Sequence, residues 1–311
     1  MSTTDITTSE KIDEQALVSK ANRQDLRFAV IGFFVLVVTM TSLVALVLDF
    51  MIDGVPRISW DFLTNYPSRR PEQAGILSAW VGTTLVMLTT AALAVPVGVA
   101  AGIYLEEYAP KNWMTDIIEI NVTNLAGVPS IIYGLLALGL FVYGLGLGQT
   151  IIVAGLTLAL LILPIIIVAT REALRSIPLE IREAAYGLGA DKWQAVSMYL
   201  LPVARPGILT GAIVGMSRAI GETAPIITIG ALSFIAFLPP SPVGTEFPFV
   251  SFSWLNSPFT VMPIQMFNWI SRPQPGFHVA AAATGVILLA MTLLMNGLAI
   301  YIRYRIRRGA K

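Results

Sequence analysis

Residues 183–202 read EAAYGLGADKWQAVSMYLLP, and whether this stretch crosses a bilayer or stays outside one decides the fold. Glu183, Asp191 and Lys192 make it too polar to span hydrocarbon, yet the chain on either side is strongly apolar. Gly189 reads as the stop of a short helix, because glycine takes the left-handed conformation that a helix end needs. Asp191 then fits an N-cap, and Gln194 three residues later completes a capping-box pattern. Trp193, Val196 and Leu200 recur at i, i+3 and i+7, one face of a second helix. Pro178 suits the first turn of the helix that carries Glu183. The expectation is a helix–turn–helix over 178–201, outside the membrane. Its small residues Ala184, Ala185, Gly187 and Gly189 let another backbone approach closely. Two readings stay open on periodicity alone: an amphipathic connector resting on the inner leaflet, or a docking element for a partner.

Composition supports the membrane on both sides of it. Of 311 residues, 55% are hydrophobic and 13% charged, against about 45–50% and about 25% in a soluble domain. The net charge of +1 gives a nucleic-acid partner no electrostatic support. There is no cysteine and a single histidine, His278, which excludes disulfides, thiolate metal sites and Cys nucleophiles. Phe28 to Leu48 runs uncharged for 21 residues, close to the ~20 that cross a ~30 Å core, and reads as a retained first span. Gln73 to Leu105 holds a second. The uncharged run from Ile120 to Thr170 breaks at GLGLGQ (144–149), giving a third and a fourth. A fifth starts near Pro206 and a sixth covers about 279–302. The expected organisation is therefore a tail (1–27), a first span (28–48), an outer loop (49–72), a core (73–302) and a basic tail (303–311). The core includes the loop 178–202 and a proline-rich outer segment, 238–277. Within that segment VMPIQMFNWI (261–270) suits a short interfacial helix, and the whole reads either as a surface cap or as a docking face.

Lysine and arginine orient these spans. The tail RYRIRRGAK carries five basic residues and no acid, which places it in the cytoplasm. Six spans put the N-terminus there too, with fifteen basic residues in the inner segments and four in the outer ones. The outer four are Arg57, Arg69, Arg70 and Arg272.

The twentieth basic residue, Arg218, lies with Glu222 inside the fifth span. Counted from Pro206, it falls ~18 Å along the helix, where a charge facing lipid costs at least ~2.5–3.5 kcal/mol. Gly207, Gly211 and Gly215 form a small-residue stripe for close helix packing. At about 100° per residue the charged pair falls in the same arc. The pair serves either as a structural salt bridge or as an oxyanion contact, with Arg218 supplying positive potential and Glu222 limiting its grip. Pro225 cannot donate to the Gly221 carbonyl and would free it beside the pair. Asn124, Ser130 and Tyr133 along the third span are further candidates to line the substrate pathway. The stripe Ala94, Gly98, Gly102 reads as packing.

Glu183-Ala184-Ala185, Gly189 and Leu201-Pro202 together resemble the EAA loop of ABC importer permeases. In that family the loop is the coupling helix, seated in a groove of a separate ATPase subunit. LAGVPSIIYGL (125–135), SRAIGETAP (217–225) and FTVMPIQMFNWISRP (259–273) resemble the phosphate-specific permeases of the PstA type, and the similarity runs from about residue 60 to the end. The resemblance implies an all-α integral membrane protein of the type I permease fold, with six transmembrane helices and a cytoplasmic coupling helix, in the bacterial inner membrane. It implies a homologous second permease subunit, two ATPase subunits, an extracytoplasmic phosphate-binding protein and inorganic phosphate as substrate. The chain has no G-x-x-x-x-G-K-[ST] phosphate loop, since GLGADKW (187–193) has the wrong spacing. ATP is thus expected to bind a partner chain, and no cofactor is expected here. A secondary anion carrier would need further ionisable residues within the membrane. A membrane phosphatase or transferase would need His or Asp clusters at its face. An importer for another oxyanion fits the same residues.

Overall fold

The computed structural model describes residues 3–243, 249 and 251–309, with side chains for 25–243, 249 and 251–305. The tail residues 1–24 and 306–311 thus lie outside the described side chains, as do 244–248 and 250 of the outer segment. The chain divides into two compact units, Met1–Ile52 and Asp53–Lys311. The first is almost all of one helix, α1 (Thr3–Gly54). The expected tail and first span are therefore continuous, and no proline interrupts them before Pro56. Phe33, Phe34 and Leu43 stand exposed on it, as side chains meant for hydrocarbon do.

In the second unit the outer loop is folded around an arginine. Arg57 Nη2 donates to the carbonyls of Pro71, Glu72 and Ala74 at 3.0, 2.9 and 3.0 Å, and its guanidinium lies over the Phe62 ring. Phe62 sits on α2 (Trp60–Thr64), whose first turn is capped by Ser59. Arg272 likewise covers the ring of Phe277. Arg57 and Arg272, two of the four arginines expected on the outer side, thus both make local structural contacts.

Next comes α3 (Leu77–Ile103), which continues into a π-turn over Tyr104–Tyr108. Its Thr83, Thr89 and Thr90 hydroxyls donate to carbonyls one turn back, so these buried polar groups are satisfied within the helix. The expected third span is not one helix. It consists of α4 (Trp113–Leu125) and α5 (Ser130–Ala137), the latter running on as π-turns to Gly144, with a 106° bend between them. Gly127 and the pre-proline Val128 explain the break, because the proline ring disfavours helical dihedrals in the residue before it. The break before α6 (Ile151–Arg175) falls where GLGLGQ predicts it, with Gly146 and Gly148 at φ +66° and +69°.

After α7 (Leu179–Gly187) come α8 (Lys192–Gln194), π-turns over 195–200 and α9 (Leu201–Ile220). The last three form one helix, Lys192–Ile220. The helix that holds the expected fifth span therefore starts at Lys192, ahead of Pro206, and the second helix of the expected helix–turn–helix is its first part. The π-turns widen the helix where the Pro202 ring would otherwise meet the carbonyl of Met198. The rest comprises α10 (Ala224–Thr228), α11 (Met262–Ile270) and α12 (Pro275–Gly309). Among the described residues there is no β-strand. Five helices are long and apolar enough to cross a membrane, or six if α4 with α5 counts as one.

Helix α6 is the axis of this unit. Gly98 and Gly102 of α3 abut Ile166 and Thr170 of α6 so closely that a Cβ would overlap them. Gly207 and Gly211 of α9 meet Ala173 and Ala169 of the same helix in the same way, and Gly215 faces Ile162 and Ile166, so that Ile166 is met from both α3 and α9. Two small-residue stripes thus pack on adjacent faces of one helix, which lets the backbones close in and gain dispersion contacts that lipid cannot better.

Candidate functional site

Helix α7 ends in a Schellman motif. Gly189 N–H donates to Tyr186 O at 2.9 Å and Ala190 N–H to Ala185 O at 3.1 Å, with Gly189 at φ +82°. Asp191 and Gln194 then form the expected capping box, with Gln194 N–H to Asp191 Oδ1 at 2.7 Å and Asp191 N–H to Gln194 Oε1 at 3.0 Å. These two devices hold a sharp corner whose outer side is open. Glu183, Ala184 and Gly189 are exposed there and only Ala185 of the four turns inward. Pro178 is the N-cap, one residue ahead of its expected place in the first turn. Trp193 does not share a face with Val196 and Leu200: it is 67% exposed, whereas they are each 1% exposed in the core. The intervening π-turns break the 3.6-residue period on which the expectation rested. Trp193 joins Leu188 as an exposed apolar side chain at the corner.

The charged pair forms, in a setting different from the expected one. Arg218 Nε donates to Glu222 Oε1 at 3.3 Å. Arg218 is in the last turn of α9, which ends at Ile220, so Glu222 stands in the linker before α10. It therefore leaves the helical screw that put it in one arc with the glycines. The stripe itself faces α6, while the Arg218 side chain is 36% exposed and that of Glu222 17%. Pro225 starts α10 and does not interrupt α9. The Gly221 carbonyl it was expected to free accepts the Thr223 hydroxyl at 3.4 Å.

The two broken segments meet beside this pair. Gly134 of α5 lies so close to Pro225 and Thr228 of α10 that a Cβ there would overlap both. Ser130 opens α5, and Tyr133 one turn on is within electrostatic reach of Arg218. The Tyr133 hydroxyl is committed, donating to Leu125 O at 2.8 Å across the bend. Thr83 and Met87 of α3, with Ile226 and Val261, share with Glu222 the lining of a void of about 10 Å³, the smallest space that holds a single water. Asn124 is exposed and opens onto a different feature, a cleft of about 410 Å³ shared with Glu119, Thr123, Arg171 and Arg175. In chemical terms, the pair offers one half-open guanidinium whose charge is partly offset, which can attract an anion without trapping it.

Spacing alone missed a group of ion pairs at the end of α6. Arg171 Nη2 lies 2.6 Å from Glu119 Oε1, and its Nε 3.5 Å from Glu106 Oε2. Arg175 binds both oxygens of Glu106, at 3.2 and 3.0 Å. Arg182 of α7 donates to Glu107 Oε1 at 2.8 Å and to Leu174 O at 3.0 Å. The available signal was EE at 106–107 ending one span opposite REALR at 171–175 ending another. Because Arg171 already faces two carboxylates, the cleft it lines is a poor place for a free anion.

Comparison with known proteins agrees with these features. Residues 94–308 match the family described as "Binding-protein-dependent transport system inner membrane component". The chain is 32% identical over 260 residues to the probable ABC transporter permease protein YqgI of Bacillus subtilis, covering 83% of this chain and 87% of that one. It is 30% identical over 236 residues to the phosphate transport system permease protein PstA 1 of Mycobacterium tuberculosis, covering 75% and 73%. Among solved structures, an inward-facing MetNI methionine ABC transporter superposes with a TM-score of 0.55 at 17% identity, over 72% of this chain and 94% of that one, which shows a shared fold. With its multi-pass helical architecture, the chain belongs to the family of inner membrane components of binding-protein-dependent transport systems.

Proposed function

We propose that the chain is the transmembrane permease subunit of an ATP-driven importer of inorganic phosphate and forms half of the translocation pathway. The corner at 183–193 carries this reading. It is a rigid, outward-facing element with exposed Glu183, Ala184, Gly189, Leu188 and Trp193, on a chain that has no phosphate loop of its own. Exposed apolar residues beside charged ones on a capped corner suit a groove in a partner. The partner is a separate ATPase subunit, present twice, so this chain is not an enzyme. A homologous second permease completes the pathway and an extracytoplasmic binding protein delivers the substrate. Both termini and the 183–193 corner face the cytoplasm, as the basic bias favours.

Phosphate as substrate is supported by the relatives that carry that name and by the Arg218–Glu222 pair, with Ser130 at the start of the neighbouring half-helix; Asn124, on a separate cleft, and Tyr133, whose hydroxyl is bound to Leu125 O, do not add to it. The decisive test is reconstitution. The complex copurified with this chain should take up phosphate into proteoliposomes only with ATP, and excess sulfate should leave that uptake intact. Purification without an ATPase chain, or uptake driven by an ion gradient alone, would replace the reading with that of a secondary carrier.

A further inference from the structure

The sequence YLEEY (104–108) leaves the α-helical pitch at the end of α3, and its last three side chains reach three different elements. Glu106 holds Arg171 and Arg175 on the final turns of α6. Glu107 holds Arg182 on α7. The Tyr108 ring lies 5.0 Å beneath the ammonium of Lys192, the first residue of the helix that runs to Ile220. The Glu107 and Arg182 side chains are only 8% and 20% exposed, so water and salt screen this pair less than an ordinary surface pair. The corner at 183–193 is therefore held at both ends to the turn that finishes α3, by Arg182 just before it and Lys192 near its close. Single π-turns in helices concentrate at functional places, and here the turn is what carries two consecutive carboxylates to separate arginines.

At its other end, α3 contributes Thr83 and Met87 to the lining of the void that Glu222 shares. Roughly 20 residues separate Met87 from Glu107, or ~30 Å of helix. That span holds Pro96 within a continuous helix and is packed along α6 through the small-residue stripe at Gly98 and Gly102, contacts that resist its bending independently of α6.

We infer that the Tyr104–Tyr108 turn is the grip through which displacement of the 183–193 corner reaches α3 and so the Arg218–Glu222 region. Glu107, Arg182, Tyr108 and Lys192 are its positioning residues. This rests on the importer reading, under which an ATPase partner moves the corner.

The test uses the whole complex in proteoliposomes and reads phosphate transported per ATP hydrolysed. If the unmodified complex shows no ATP-driven uptake, the importer reading fails before the grip is examined. Given that uptake, Arg182→Glu and Glu107→Arg should each lower the ratio about tenfold, the scale of a coupling free energy between sites, while the ATPase chains stay bound. The double variant carrying both reversals should recover to within about threefold of the unmodified complex, since the pair is restored with its charges exchanged. Lys192→Gln, on an exposed residue whose loss does not threaten folding, should lower the ratio about threefold, in line with a surface cation–π contact, and it decides the matter if a reversal fails to assemble.

The absence of cysteine permits a further arm. Glu107→Cys with Arg182→Cys, bridged by a short bismaleimide, should regain the ratio that the unbridged pair loses. Unchanged ratios in the single variants, no recovery in the double variant, or a bridge that stops transport would each overturn the grip. The last of these would mean that the corner must part from α3 during the cycle.

Discussion

Arg218 meets Glu222 through one contact, and more than a third of its side chain stays open. Arg218 lies in a candidate span and Glu222 is only 17% exposed, so removing one partner of the pair can itself destabilise the protein by ~3–5 kcal/mol. Loss of phosphate uptake in Arg218→Gln reports on the anion only where the complex is shown to stay assembled. The doubly substituted chain Arg218→Glu, Glu222→Arg sharpens the experiment. A structural pair tolerates the exchange, whereas an anion contact does not, because the positive charge moves ~6 Å along the axis and a carboxylate replaces it. Assembled exchanged complexes that transport at near-normal rates would remove Arg218 from the pathway. Gly189 illustrates the residue scale in a different way: its φ of +82° is what lets the Schellman motif close, and the space around it is open. The demand there is on the backbone alone, and glycine meets it without strain.

At the scale of the element, α3 and α9 both pack closely on α6 through glycines and alanines. Gly211 sits against Ala169 with no room for a side chain. Gly211→Leu should push α9 off α6 and destabilise the unit by at least the ~1–3 kcal/mol of ordinary overpacking, read as a lower thermal transition and less assembled complex. Gly297→Leu in α12 is the control, since nothing lies within reach of a Cβ there and the transition should barely move. An equal loss in both would show that glycine's backbone, and not the packing stripe, matters in this chain. The helices also differ in how they treat proline. Pro129 coincides with a 106° break, whereas Pro96 and Pro164 are carried inside α3 and α6. Burial does not separate them, since Pro164 is buried but Pro96 is exposed like Pro129; what sets Pro129 apart is the flexible Gly127 two residues before it.

For the molecule as a whole, the spans and the basic residues between them set an orientation that can be measured. A reporter fused after Lys311 should be active only on the cytoplasmic side, and a second one placed in the 66–70 loop only on the outer side. Reporter activity outside from the first fusion would overturn the assignment of inner and outer segments. If that assignment holds, the ion pairs Glu106–Arg175, Glu119–Arg171 and Glu107–Arg182 belong to the inner side, where headgroups and water temper the cost of gathering so many charges.

Local chemistry was legible in the sequence wherever a few adjacent residues decide the outcome. The polar corner between two spans, the glycine stop, the capping box and the break at GLGLGQ all follow from near-neighbour hydrogen bonding and dihedral preference, so the linear order of residues contains them. The same holds for the apolar runs, whose length answers to the bilayer's thickness. The helix screw, in contrast, was an assumption. The π-turns over 195–200 turned Trp193 away from Val196, and the end of α9 at Ile220 moved Glu222 out of the arc that had joined it to the glycines. Each such shift depends on what packs beside the helix, and periodicity has no access to that. The grip on the corner lay furthest out of reach. Glu107 and Arg182 are 75 residues apart and carry no spacing signal. Only the packing of α3 against α6, with α7 turning back beneath them, brings a carboxylate and a guanidinium to one place where each satisfies the other.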